Sequence, residues 1–136
     1  MALIECELAR VVMSESQPQQ PGVVVLQEKD GERMLPIAIG LFEVYAIHRT
    51  INDEPPPRPY THELFGNVLD ELGVSIERVA VTELREAVYI GRLFLKQNGT
   101  VHDIDTRPSD GIALAVQKGA PIFVDDAVLE EAGRIP

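Results

Sequence analysis

Cysteine occurs once in the 136 residues, tryptophan is absent, and Lys plus Arg number 12 against 22 Asp plus Glu. A lone Cys6 excludes an internal disulfide, a cysteine-rich zinc site and a CxxC redox pair, and it suits a reducing, intracellular compartment. The net charge of -10 repels free nucleic acid at long range, because affinity for a phosphate backbone normally comes from clustered Lys and Arg. Long apolar runs are also missing. The opening MALIECELARVVM has no basic stretch ahead of an apolar one and carries Glu5 and Glu7. Neither a signal peptide nor a membrane anchor is therefore expected, and a cytoplasmic location is. There is no GxxxxGKS/T, no GxGxxG after a strand, no HExxH and no GxSxG, which leaves nucleotide-fold, zincin and hydrolase-elbow chemistry without support.

What is present is an ordinary globular mix, 45% hydrophobic and 25% charged, in a length that predicts one domain over residues 1–136. Ile4, Cys6, Leu8 and Val12 alternate with polar residues at the period of a strand with one buried face. SESQPQQPG, residues 14–22, reads as a mobile surface loop. Two apolar runs around Asp30-Gly31 predict a hairpin, and Asn98-Gly99 predicts a second. Between them the period changes to that of helices. One is expected over residues 41–50, with Val44, Ile47 and Ile51 on one face. The proline-rich NDEPPPRPY then forms a stiff connector to a second helix. That helix is expected to have Thr61 as its cap, Leu64, Val68, Leu69 and Leu72 inward, and Gly73 at its end. AVYIGRLFLKQ, apolar on both faces, predicts a central strand. A helix PSDGIALAVQKG, a short strand PIFV and a terminal helix DDAVLEEAG close the chain. The fold class is α+β: a mixed, largely antiparallel sheet built from hairpins, with three to four helices packed against it.

Two clusters carry chemistry. In DIDTRPSDG, Asp103 and Asp105 share one face of a strand, and Arg107, Ser109 and Asp110 follow at a helix start. If the intervening turn folds back, three carboxylates meet, and oxygen ligands of this kind suit Mg²⁺ or Mn²⁺. Arg107 would serve as a salt-bridge partner or as a bidentate phosphate ligand. In PPRPYTHEL, Arg58, Thr61, His62 and Glu63 bring a guanidinium, a hydroxyl, an imidazole and a carboxylate to another helix start. Plainer readings stand beside both: caps, dipole complements, solvated edge charges, or an inward Arg107–Asp110 bridge that only locks the fold.

LPIAIGLFEVYAI, RPYTHELFGNVLDELG, RPSDGIALAVQKGAPIFV and VLEEAG, in this order and spacing, resemble the bifunctional nuclease family from about residue 23 to residue 133. The resemblance implies a compact α+β homo-oligomer, a dimer or higher, acting as a nuclease on RNA and DNA. The family's recurring polar positions fall on Glu43, Arg58, Thr61, His62, Asp105, Arg107, Ser109 and Asp110. Glu63 stands where the family often has aspartate, and Gly111 where it has alanine, which permits close backbone approach. The expected mechanism is metal-assisted phosphodiester hydrolysis, with Asp105 and Asp110, joined by Asp103, as ligands of Mg²⁺ or Mn²⁺. His62 or Glu63 would activate water, and Arg58 and Arg107, with Ser109 beside them, would face the phosphorane. The competing expectation is a non-catalytic homo-oligomeric module that binds a small anion or a protein partner, which the acidic balance fits more easily.

Overall fold

The structure is a computed structural model that describes residues 2–13 and 18–136. Residues 14–17 of the expected surface loop lie outside the described residues. The elements in chain order are β1 (Leu3–Met13), β2 (Gly22–Glu28), β3 (Met34–Ile39), α1 (Leu41–Ile51), α2 (Thr61–Glu71) and β4 (Ser75–Arg85). They are followed by β5 (Val88–Gln97), β6 (Thr100–Thr106), α3 (Pro108–Lys118), β7 (Ile122–Asp125) and α4 (Asp126–Ala132). The strands form one sheet in the order β3-β2-β1-β7-β4-β5-β6. It consists of two antiparallel three-stranded meanders with the short β7 inserted between them. β7 runs antiparallel to β1 and parallel to β4, the one parallel pairing among the described residues. A parallel neighbour requires a crossover, and α3 supplies its last leg, which is why Gly111 to Ala115 are all buried.

Both hairpins form. Asn98 and Gly99 take φ of 52° and 80°, the left-handed pair that a two-residue turn needs, whereas Asp30-Gly31 sits within a longer turn. Alternate strand residues, among them Leu26, Ile37, Val79, Val81, Leu93 and Val124, pack in one cluster with Val44 and Ile47 of α1 and Leu69 of α2. Ile112 of α3 and Leu129 of α4 complete it, so the four helices share the core side of the sheet. The opposite parity, with Arg78, Arg92 and Phe94, faces away from them.

Three expectations change. A bulge between Leu8 and Arg10 reverses the parity of β1, so Val12 is exposed instead of joining Cys6 in the core. The strand expected to be central, β5, is second from the edge. On α2 only Leu69 of the predicted inward set is buried; Leu64, Val68 and Leu72 point into solvent, and the inner face is made by His62, Gly66 and Leu69.

Two close approaches set the geometry that follows. A side chain at Gly91 would stand 2.9 Å from the Thr106 carbonyl, so the chain leaving β6 lies directly across β5. One at Gly111 would stand 2.8 Å from Val79, which brings the first turn of α3 down onto β4.

Candidate functional site

Three helices begin beside one another: α1 after Gly40, α2 after Tyr60 and α3 after Arg107. Side chains in a first turn lean back toward the amino end, so polar residues at these positions meet. Arg107 joins them. Its Nε donates to Asp110 Oδ2 at 2.9 Å, and its Nη2 reaches Asp110 Oδ1 at 3.2 Å and Glu43 Oε1 at 2.9 Å. His62 Nε2 lies 2.9 Å from Asp110 Oδ1, and Ser109 Oγ donates weakly to Glu43 Oε1 at 3.4 Å. The result is one chain of contacts, Ser109–Glu43–Arg107–Asp110–His62, drawn from segments up to 67 positions apart in sequence. Glu43 is buried, with its side chain 6% exposed, while Arg107 is 69% exposed and open to an incoming anion.

Hydrogen bonds from His62 and then Arg107 hold the Asp110 carboxyl below the usual carboxylate range, against burial, which acts the other way. The same contact with Asp110 raises Arg107. An ionised carboxylate only accepts, so His62 Nε2 must carry a proton in this contact, and in the neutral ring the lone pair is then on Nδ1. Among the described residues Arg107 Nη1 has no protein acceptor. The imidazole and a cationic donor are thus joined through one carboxylate, Asp110.

α3 also holds α2 from below. Gln117 Nε2 donates to the His62 carbonyl at 2.8 Å, and Lys118 pairs with Asp70 at 2.7 Å. Gly66 makes room for this, since a Cβ there would overlap the Gln117 amide. Glu63, expected beside His62 as an alternative base, is instead gripped by Arg49 at 2.8 and 2.9 Å and accepts the Tyr60 N–H at 3.2 Å. The Arg49 hydrogen bonds lower its pKa, which makes it a poor base. Arg58 is exposed on the connector and makes no ion pair among the described residues. Thr61 is exposed at the first position of α2, and the cap falls on Tyr60.

The expected cradle of three aspartates is not assembled. Asp103 and Asp105 do share a face, but by strand register it is the face of Phe94 and Arg92, turned away from the helices. There Arg92 takes Asp103 at 2.7 Å and Asp105 at 3.5 Å, with the Asp105 side chain 80% exposed. Among the described residues no group of three His, Cys, Asp or Glu side chains stands together as an ion-ligand set. At the helix starts the two carboxylates, Glu43 and Asp110, are already spanned by the Arg107 guanidinium. The site as folded does not fit a preformed divalent-ion centre.

Among the described residues two clefts stand out. One of about 200 Å³ lies beside the site, lined by Arg49, Thr50, Asp53, Glu54, Pro55, Pro56 and Glu63. The larger, about 330 Å³, lies at the far end of α3 between Glu5–Leu8 and Gly119–Ile122, and its charge is confined to Glu5, Glu7 and Lys29. Neither cleft is lined by His62, Arg107 or Asp110, so the site is marked by its chemistry: the imidazole and the guanidinium converge where the three helices begin.

Sequence reasoning named Glu43 among the family's recurring polar positions and gave Gln117 no part. The signal for Glu43 was its position: with Ala46 and Ile47 it lies at i, i+3 and i+4 on the buried face, where a carboxylate must find a partner. Gln117 had no comparable signal, since its partner is a backbone carbonyl 55 positions away.

Among known proteins, the chain matches the bifunctional nuclease domain over residues 24–135. An uncharacterized protein of Mycobacterium tuberculosis is 39% identical over 129 residues, which are 95% of this chain and 77% of that protein. Bifunctional nuclease 2 of Oryza sativa subsp. japonica is 29% identical over 113 residues, 81% of this chain and 34% of the relative. Bifunctional nuclease 1 of Arabidopsis thaliana is 27% identical over 108 residues, 77% of this chain and 33% of the relative. With the family match covering most of the sheet and all three helix starts, the chain belongs to the bifunctional nuclease domain family.

Proposed function

We propose that this chain hydrolyses phosphodiester bonds of RNA and DNA where α1, α2 and α3 begin. The observation that carries the reading is the His62–Asp110–Arg107–Glu43 network, which pairs a base nitrogen with an exposed guanidinium. The family and the plant relatives named as nucleases support the same chemistry.

In this reading Asp110 fixes the His62 tautomer, and Nδ1 takes a proton from water as it attacks phosphorus. Arg107 meets the charge that gathers on the non-bridging oxygens, and Glu43 keeps the guanidinium aimed. The ester bond to the leaving oxygen breaks, and that oxygen takes a proton from solvent. Such electrostatic stabilisation is worth most where water is excluded, and the buried Glu43 provides that side of the site.

Self-association is the second part of the proposal. Leu64, Phe65, Val68 and Leu72 make an apolar stripe at helical spacing on the outer face of α2, a surface of the kind that pairs with a second copy. Among the described residues no helix is long and apolar enough to cross a membrane, and the partnerless Cys6 fits a cytoplasmic site of action. The same stripe, together with a network whose charges largely neutralise one another, favours the competing reading of a non-catalytic oligomeric module.

The deciding experiment incubates the purified chain with labelled single-stranded RNA and DNA in Mg²⁺, in Mn²⁺ and in chelator, and resolves the products by mass. Strand scission with phosphate-bearing ends is expected. Intact strands under all three conditions would leave the binding module as the function.

A further inference from the structure

The chain has four phenylalanines and three tyrosines. Four of these, Phe42, Tyr45, Tyr60 and Phe65, are exposed, and they stand on α1, α2 or the connector between them. Phe65 belongs to the outer stripe of α2. The other three border the network of helix starts. Phe42, 79% exposed, immediately precedes Glu43, and Tyr60, 60% exposed, lies two residues before His62. Phe42, Tyr45 and Arg49 fall at i, i+3 and i+7, one face of α1, and Arg49 at the end of that row carries the Tyr60 ring 4.5 Å from its guanidinium carbon.

Tyr60 is held rather than loose. Arg49 is fixed on Glu63 by two hydrogen bonds, and the same carboxylate accepts the Tyr60 backbone N–H. One face of the ring therefore rests on a fixed cation while the remainder is open to solvent, an arrangement that costs little entropy when a second flat group lands on it. Flat groups occur next to the phosphodiester of the proposed substrate: the bases themselves.

Charge makes the same point. A chain of net charge -10 gains little from phosphate attraction, and Arg107 is the one cation bonded into the network. Stacking of bases on aromatic rings supplies affinity that does not depend on charge, and it requires bases that are not already stacked and paired in a duplex. We propose that Tyr60, with Phe42 and Tyr45, forms a stacking platform for the bases flanking the reactive phosphate, so that the substrate is single-stranded nucleic acid. This rests on the hydrolytic reading above and names the substrate class of that site.

The test measures binding by fluorescence anisotropy, using a labelled, hydrolysis-resistant phosphorothioate strand of about ten nucleotides, within the range one such module covers. Its duplex, and an abasic strand carrying the same phosphates, serve as controls. The intact single strand is expected to bind best. Tyr60→Leu should weaken it roughly fivefold to a hundredfold, Tyr60→Trp should keep it, and the dependence on salt should stay the same, because no phosphate contact is touched. Thermal melts show whether Tyr60→Leu is folded; if it is not, the exposed Phe42→Leu takes its place. Equal binding of intact and abasic strands, or of wild type and the leucine variants, overturns the platform and leaves hydrolysis standing. No binding of any strand overturns both. A wild-type dimer that Tyr60→Leu splits, by sedimentation, assigns this surface to a second copy and also overturns the platform.

Discussion

Glu43 is a buried carboxylate on an apolar helix face, and it is tolerable there only because Arg107 bonds to it and Ser109 lies beside it. Arg107→Ala leaves that carboxylate without its cation and should cost about 1–3 kcal/mol of stability, read as a lower urea midpoint. Asp110 has a separate signature. Its carboxyl is depressed in the folded protein, so the stability it contributes is full above the ordinary aspartate pKa of about 3.9 and disappears as pH falls through the lower folded value. The gap in urea midpoint between wild type and Asp110→Asn should hold steady from neutrality to about pH 5 and close below about pH 4. A gap that widens on acidification would contradict the His62 and Arg107 contacts. At this scale Asp110, Arg107 and His62 were legible as polar residues at helix starts. Their pairing was not, since nothing local says which helix start meets which.

α2 shows how an element can be read correctly in type and wrongly in facing. Its period, its end at Gly73 and its polar first turn are in the sequence, and it spans Thr61–Glu71, its cap one residue earlier than the expected Thr61. The Leu64–Val68–Leu72 stripe is equally visible, but periodicity reports that a face is apolar and not whether a core or a partner covers it. The inner face is marked by Gly66, where a missing side chain admits Gln117. Gly66→Ala should therefore displace the Gln117 amide from the His62 carbonyl, with a net stability change within about 1 kcal/mol because alanine also gains helix propensity, and slow cleavage roughly tenfold as His62 loses its brace. Wild-type rates for that variant would show that the brace is not needed. If the outer stripe joins two copies, Val68→Lys should reduce the solution mass by light scattering to that of one chain; an unchanged oligomer would place the contact elsewhere.

For the whole molecule, the α+β class and both hairpins follow from local signals, because turn residues and alternation act over a few positions. The insertion of β7 between β1 and β4 does not, since it depends on pairing with β1, more than 100 residues away, and with β4, 43 residues away. The same reason undid the three-aspartate cradle: Asp103 and Asp105 share a face as strand period requires, yet register places that face away from α3. The core should behave as one unit, so Ile112→Ala, fully buried where α3 crosses the sheet, should cost about 2–5 kcal/mol and sharply lower the melting temperature. The central claim, that hydrolysis occurs at the three helix starts and not at β6, is tested most directly by single-turnover cleavage of a single-stranded RNA. His62→Ala should be slower than wild type by at least about a hundredfold, while Asp105→Asn keeps nearly the full rate. Normal cleavage by His62→Ala alongside an inactive Asp105→Asn would contradict it.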